Sequence, residues 1–224
     1  MSDITARLRT ILPRGVTLAE ATAPMALWPE EDLPGAVPAR LAEFGAGRSA
    51  ARQALRDLGL APVAIPMALD RAPIWPEAAT GSISHCAGAC LAVMGLTRDY
   101  VGLGLDIEPL HPLPAELWST VLRPEEHKQI NDLPQPHQGL QALRIFVAKE
   151  ATYKAQYLIT RQIFDFQTLR IIWQDQSFTA ELCTAISPIE KGFQIQGRCA
   201  ENSHFFAAFC AVPSYAVPTY AVPT

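Results

Sequence analysis

Apolar side chains recur at helical spacing in two stretches of the chain. Over residues 40–58, Leu41, Phe44, Ala51, Leu55 and Leu58 share one face, and Gly59 supplies a stop. Over residues 138–158, a 100° advance per residue gathers Leu143, Phe146, Val147, Tyr157 and Leu158 into one stripe. Short apolar runs punctuated by glycine and polar clusters predict strands at 82–85, 90–96 and 101–107, arranged as a meander. Further strands are expected at 168–173, 178–185, 193–198 and 205–212, and a short helix at 124–131 with Pro124 in its first turn. Residues 1–39 carry Trp28-Pro29, Leu33-Pro34 and Val37-Pro38 and read as a loop-rich entry.

A helix with strands, followed by a second helix with strands, predicts an α+β protein of two similar halves, residues 1–105 and 106–213. No sequence repeat relates the halves. The end of the chain does repeat, as Ala211-Val212-Pro213, Ala216-Val217-Pro218 and Ala221-Val222-Pro223. Proline at every fifth position opposes helix and central strand, so residues 214–224 are expected to form an extended, mobile tail.

Composition narrows the function classes. With 49% hydrophobic and 18% charged residues the chain can bury a core, and a net charge of −4 gives no general reason to expect a nucleic-acid partner. No apolar run approaches the roughly 20 residues that span a bilayer, and the N-terminus lacks the apolar stretch of a signal peptide, so a cytoplasmic location is expected. Five irregularly spaced cysteines do not form a disulfide framework. His85, Cys86 and Cys90 could begin a zinc site, but no second ligand pair stands nearby.

Candidate chemistry lies in four places. In Gly102-Leu103-Gly104-Leu105-Asp106-Ile107-Glu108, strand alternation puts both carboxylates on one face, about 6.6 Å apart along the strand, with the glycines clearing room beside them. Such a pair suits Mg²⁺ shared with substrate phosphates, although an acidic strand end before Pro109 would look the same. Glu150 and Lys154 fall inside the apolar stripe of the second helix, where burying a charge pair is costly unless a metal or phosphate compensates it. Arg48, Arg52 and Arg56 recur every four residues as a slanting basic ridge, and Arg71 adds a cation from a loop. Ser84 and His85 end a strand with hydroxyl and imidazole groups able to bind a pyrophosphate.

Five ordered blocks share one resemblance: Gly47-Arg48-Ser49-Ala50-Ala51-Arg52-Gln53-Ala54-Leu55, Arg71-Ala72-Pro73-Ile74-Trp75-Pro76, Gly81-Ser82-Ile83-Ser84-His85-Cys86, Gly104-Leu105-Asp106-Ile107-Glu108 and Phe146-Val147-Ala148-Lys149-Glu150-Ala151-Thr152-Tyr153-Lys154. The chain resembles the Sfp-type 4′-phosphopantetheinyl transferases, most closely their siderophore-synthesis branch. Ala78 departs from that branch's usual glycine, and Leu105 stands where valine or isoleucine is commoner. The resemblance implies a pseudo-twofold fold with coenzyme A and Mg²⁺ between the halves. It assigns Asp106, Glu108 and Glu150 to the metal, with at most a backbone contact from Ile107. It gives Arg48 and Arg56 to the nucleotide end of coenzyme A, Ser84 and His85 to its phosphates and Lys154 to the pyrophosphate, with Arg52 and Arg71 as helpers. The implied partner is an apo acyl, peptidyl or aryl carrier protein, and a monomer is expected. Glu150 is the first candidate for general base. A metal-dependent phosphohydrolase or nuclease, or a noncatalytic coenzyme A or carrier-binding module, are the rival readings.

Overall fold

The computed structural model describes residues 3–21 and 26–216. Helix α1 (Asp3–Ile11) and strand β1 (Val16–Glu20) come first, followed by α2 (Pro38–Asp57), β2 (Ala79–Cys86), β3 (Ala89–Leu96) and β4 (Tyr100–Pro109). The second part holds α3 (Trp118–Val121), α4 (Pro124–Asn131), α5 (Gln135–Thr160), β5 (Leu169–Gln174), β6 (Ser177–Leu182), β7 (Gln194–Glu201) and β8 (Phe205–Pro213). Two antiparallel sheets result, one ordered β1-β3-β2 and the other β4-β8-β7-β6-β5. The α+β architecture matches the expectation. Each sheet carries one long helix, α2 on the three-stranded sheet and α5 on the five-stranded one.

The sheets meet where β2 runs beside β4. Here side chains replace a ladder: Leu105 N–H donates to Ser82 Oγ at 3.0 Å and Ile107 N–H to Ser84 Oγ at 3.3 Å. Hydroxyls on alternate residues of β2 thereby satisfy backbone donors on the buried edge of β4, which would be costly to leave unpaired. Residues 105 and 106 are neighbours within β4, so the expected boundary between halves runs through this strand.

The two faces of β4 are both covered. Leu103, Leu105 and Ile107 pack with Ile4 and Leu8 of α1, Leu91 and Val93 of β3 and Phe209 of β8. The opposite face, expected to give a cation room through its glycines, instead admits the backbone of α5. A Cβ on Gly104 would lie 1.8 Å from Ala151 O, and one on Gly102 2.2 Å from Ala155 O. The glycines therefore set the closeness of helix and strand.

Three further expectations need correction. Residues 1–39 are not simply loop: α1 buries Ile4 and Leu8 behind the seam, and β1 pairs with β3. The deepest face of α5 is Ala148, Ala151, Thr152, Ala155 and Ile159, rotated from the stripe of large residues, because small side chains let the helix sit on the glycines of β4. The tail does not begin at 214 either. Ser214 N–H donates to Asp99 O at 3.0 Å, its hydroxyl donates to Arg98 O at 2.7 Å, and residues 214–216 form a 3₁₀ turn. The rest of the expected tail lies outside the described residues.

Candidate active site

The rotation of α5 brings Lys154 to the seam between the sheets. Its ammonium donates to Asp106 Oδ1 at 2.7 Å, to Ser84 Oγ at 3.1 Å and to Leu105 O at 3.1 Å. Ser84 donates in turn to the same Asp106 oxygen at 2.9 Å. With two N–H donors on its lone pairs and its own proton given away, the Ser84 hydroxyl is fully engaged here. Asp106 is buried, and its second oxygen, Oδ2, has no hydrogen-bond partner among the described residues. A buried carboxylate oxygen without a donor is expensive and calls for a ligand.

The other two carboxylates stand half-buried around this node. Burial, then the Asp106 charge, pushes the Glu108 carboxyl up to about 7, with Lys154 opposing and Glu150 adding to the rise. Burial, and again Asp106, raises Glu150, opposed by Lys154. Both shifts express the cost of crowding like charges in a poorly hydrated place. The expected pair of Glu150 with Lys154 is not formed, since Lys154 spends its short contacts on Asp106. Nor do the carboxylates converge: among the described residues no group of three or more Asp, Glu, His or Cys side chains is set to hold a metal. The donor set still fits Mg²⁺, because all three residues offer hard oxygens and Asp106 Oδ2 is unclaimed. Ile107 offers no side-chain ligand, since its side chain is wholly buried in the core and its N–H serves the seam, which leaves only its backbone carbonyl for the expected backbone contact.

Two cavities adjoin Lys154 and Glu150. One of 240 Å³ is lined by Arg71, Trp75, Ser82, Lys154 and Tyr157, and the other, of 330 Å³, by Glu150, Phe164 and Phe166. Tyr153 lines both. Across the mouth of the first, Tyr157 donates its hydroxyl to Asp70 Oδ2 at 2.6 Å, which pushes the phenol up to about 12 and joins the connector after α2 to α5. Arg71, the next residue, adopts a left-handed conformation with φ of 69°.

The basic ridge divides in two. Arg56 is exposed, and among the described residues its side chain bonds to Gln53 on its own helix. Arg48 and Arg52 are buried, and each keeps one terminal nitrogen without a partner among the described residues. Arg48 Nε donates to Ile65 O at 3.0 Å and its guanidinium covers Phe44 at 3.8 Å. Arg52 is paired with Glu31 at 2.5 Å. His85 is exposed, in hydrogen-bond contact with Arg40 at 3.2 Å, and burial followed by nearby charges, of which the cations Arg40 and Lys154 act downward, lowers its imidazole. Sequence reasoning missed Glu31, whose signal was slight: one acidic residue among several in a proline-rich stretch. It also missed the bond between Asp70 and Tyr157, which are 87 positions apart, because Tyr157 read as one more member of the apolar stripe.

Comparison with known proteins agrees with this geometry. Residues 28–95 match the 4′-phosphopantetheinyl transferase N-terminal domain, and residues 102–211 match the 4′-phosphopantetheinyl transferase superfamily. The chain is 35% identical over 176 residues to the 4′-phosphopantetheinyl transferase Svp of Streptomyces mobaraensis, covering 76% of this chain and 71% of that protein. It is 33% identical over 180 residues to Npt of Nocardia iowensis, covering 78% and 80% respectively. Enterobactin synthase component D of Escherichia coli strain K12 shares 36% identity over 140 residues, 61% of this chain and 64% of that one. With both halves matched and the seam carrying its charged node, the chain belongs to the 4′-phosphopantetheinyl transferases.

Proposed function

We propose that this enzyme transfers the 4′-phosphopantetheine arm of coenzyme A to a serine of an apo carrier protein and releases 3′,5′-ADP in an Mg²⁺-dependent reaction. The observation that carries the proposal is the Lys154–Asp106 node with its unclaimed oxygen, beside one cavity lined by Lys154 and another lined by Glu150 that share Tyr153. The cavity with Arg71 and Trp75 suits the nucleotide, and the more apolar one suits the pantetheine arm. Arg48 serves the phosphate end of the nucleotide, with Arg52 and Arg71 as helpers, while exposed Arg56 and His85 are the peripheral members. No helix of the described residues is long and apolar enough to cross a membrane.

Asp106 would hold Mg²⁺, with Glu108 and Glu150 beside it. The ion, when bound, would offset charge on the pyrophosphate. In the reaction the serine Oγ forms a bond to the β-phosphorus, and the bond from that phosphorus to the bridging oxygen breaks. 3′,5′-ADP departs with the bridging oxygen and its electron pair. Glu150 takes the serine proton, and its raised affinity for protons favours that role. Lys154, which donates to Asp106 here, is the cation assigned to the pyrophosphate, where it stabilises developing charge.

The test is an assay of the purified chain with coenzyme A, Mg²⁺ and an apo carrier, following carrier mass and 3′,5′-ADP together. Equal amounts of holo-carrier and 3′,5′-ADP are expected, and the D106A variant should form neither. Nucleotide release without carrier would indicate a phosphohydrolase, and tight coenzyme A binding without release a binding module.

A further inference from the structure

The stretch before α2 delivers a carboxylate to the interior. Glu31 is completely buried, and both its oxygens are fully used. Arg52 donates to both at 2.5 Å, Ile65 N–H donates to Oε1 at 3.0 Å and Trp28 N–H to Oε2 at 3.0 Å. The Arg52 guanidinium also lies over the Trp28 ring at 4.7 Å. Ile65 is held from its other side as well, because its carbonyl accepts from Arg48 Nε at 3.0 Å. One continuous chain of contacts therefore runs from Arg52 through Glu31 and Ile65 to Arg48.

This arrangement does more than neutralise charge. Two guanidiniums face one carboxylate, which leaves a surplus positive charge, and each arginine keeps a buried terminal nitrogen with no acceptor. Unsatisfied donors on buried cations are costly, so an anion is the natural complement. Burial lowers Arg48 to about 10, and Glu31 is the largest influence acting in the other direction. A bidentate guanidinium contact demands fixed orientation, and that is what a peptide pinned by a carboxylate supplies.

We infer that Glu31 is a positioning residue for nucleotide recognition: by clamping Ile65 and Arg52 it fixes the Arg48 guanidinium to receive the terminal phosphate of the nucleotide. The inference rests on the assignment of Arg48 to that phosphate. Without the carboxylate, Ile65 is released, Arg48 loses its anchor, and selectivity for the phosphorylated nucleotide falls. Chemistry at the seam is untouched.

The test measures Kd of coenzyme A and of 3′-dephospho-coenzyme A by calorimetry for wild type, E31Q, R48K and the combination. E31Q is expected to weaken coenzyme A roughly tenfold, as loss of an interaction with a charged group does, and to leave 3′-dephospho-coenzyme A within about twofold. If Glu31 acts through Arg48, the combination should lose little more than R48K alone, whereas a purely structural role would weaken both ligands together. Should E31Q fold poorly, E31D keeps the charge but shortens the reach to Ile65 N–H, and is expected to show the same selective loss in smaller measure. Unchanged coenzyme A affinity in the folded variants, equal losses for both ligands, or additive losses with R48K overturn the role of Glu31. Wild type that binds both ligands equally overturns the assignment of Arg48, and the inference with it.

Discussion

Helix α5 carries two lysines, five residues apart, that meet carboxylates at the same 2.7 Å distance yet make opposite environments. Lys149 is wholly buried and donates to Glu126, to Val121 O and to Phe166 O, so its three protons are all placed. Glu126 is equally enclosed, accepting from Arg123 N–H, Lys149 and Ile171 N–H. That pair is closed, and it ties α4, α5 and β5 together. Lys154 is 27% exposed, and Asp106 keeps an oxygen with no partner. An ion pair with every bond made is structural, while one with an open valence is available for chemistry.

The sharpest way to break this comparison is to remove each lysine in turn. Lys149→Met leaves Glu126 charged and buried without its cation, so stability should fall by about 3–5 kcal/mol, read by urea unfolding. Turnover per folded molecule should stay within about threefold, since all three Lys149 protons are spent on Glu126, Val121 O and Phe166 O. Lys154→Met should do the reverse. Its transfer rate should drop by about 10²–10³-fold, with a smaller loss of stability because the site is partly hydrated. If Lys154→Met unfolds as readily as Lys149→Met and still transfers, the two lysines have the same role.

Acid–base behaviour sharpens the contrast at intermediate size. Glu108 holds its proton more tightly when folded, with a value of about 7 against an ordinary 4.5. Stability of the ligand-free protein from this group is therefore present below pH 4.5 and lost as pH rises through 7. The Glu108→Gln variant should flatten that decline, measured as melting temperature against pH without Mg²⁺. An unchanged profile would mean that the crowding of carboxylates at the seam is relieved in solution. The smallest expected effect is at the chain end, where Ser214→Ala removes one side-chain bond to Arg98 O and should cost at most about 1 kcal/mol.

Both long helices, the antiparallel strands after them and the residues of the charged node were legible in advance, because each leaves a local mark. Periodicity marks α2 and α5, alternation marks β4, and Asp106, Glu150 and Lys154 sit within recognisable blocks. Helix α1 was hidden: nine residues with few large apolar side chains bury Ile4 and Leu8 only because β4 presents a leucine face to them. The slant of the basic ridge was legible, but the depth of its burial was hidden: the Glu31 and Ile65 segment folds over Arg48 and Arg52.

What the sequence by itself determined is the set of elements and the chemical types at the seam, since backbone propensity and side-chain identity act over a few residues. Which charges pair was decided only by tertiary packing. Glu150 is four residues from Lys154 and was its natural local partner. The glycines of β4 draw α5 so close that Lys154 reaches across to Asp106 instead. Ion pairing depends on distance and desolvation in three dimensions, and neither quantity is written in residue spacing.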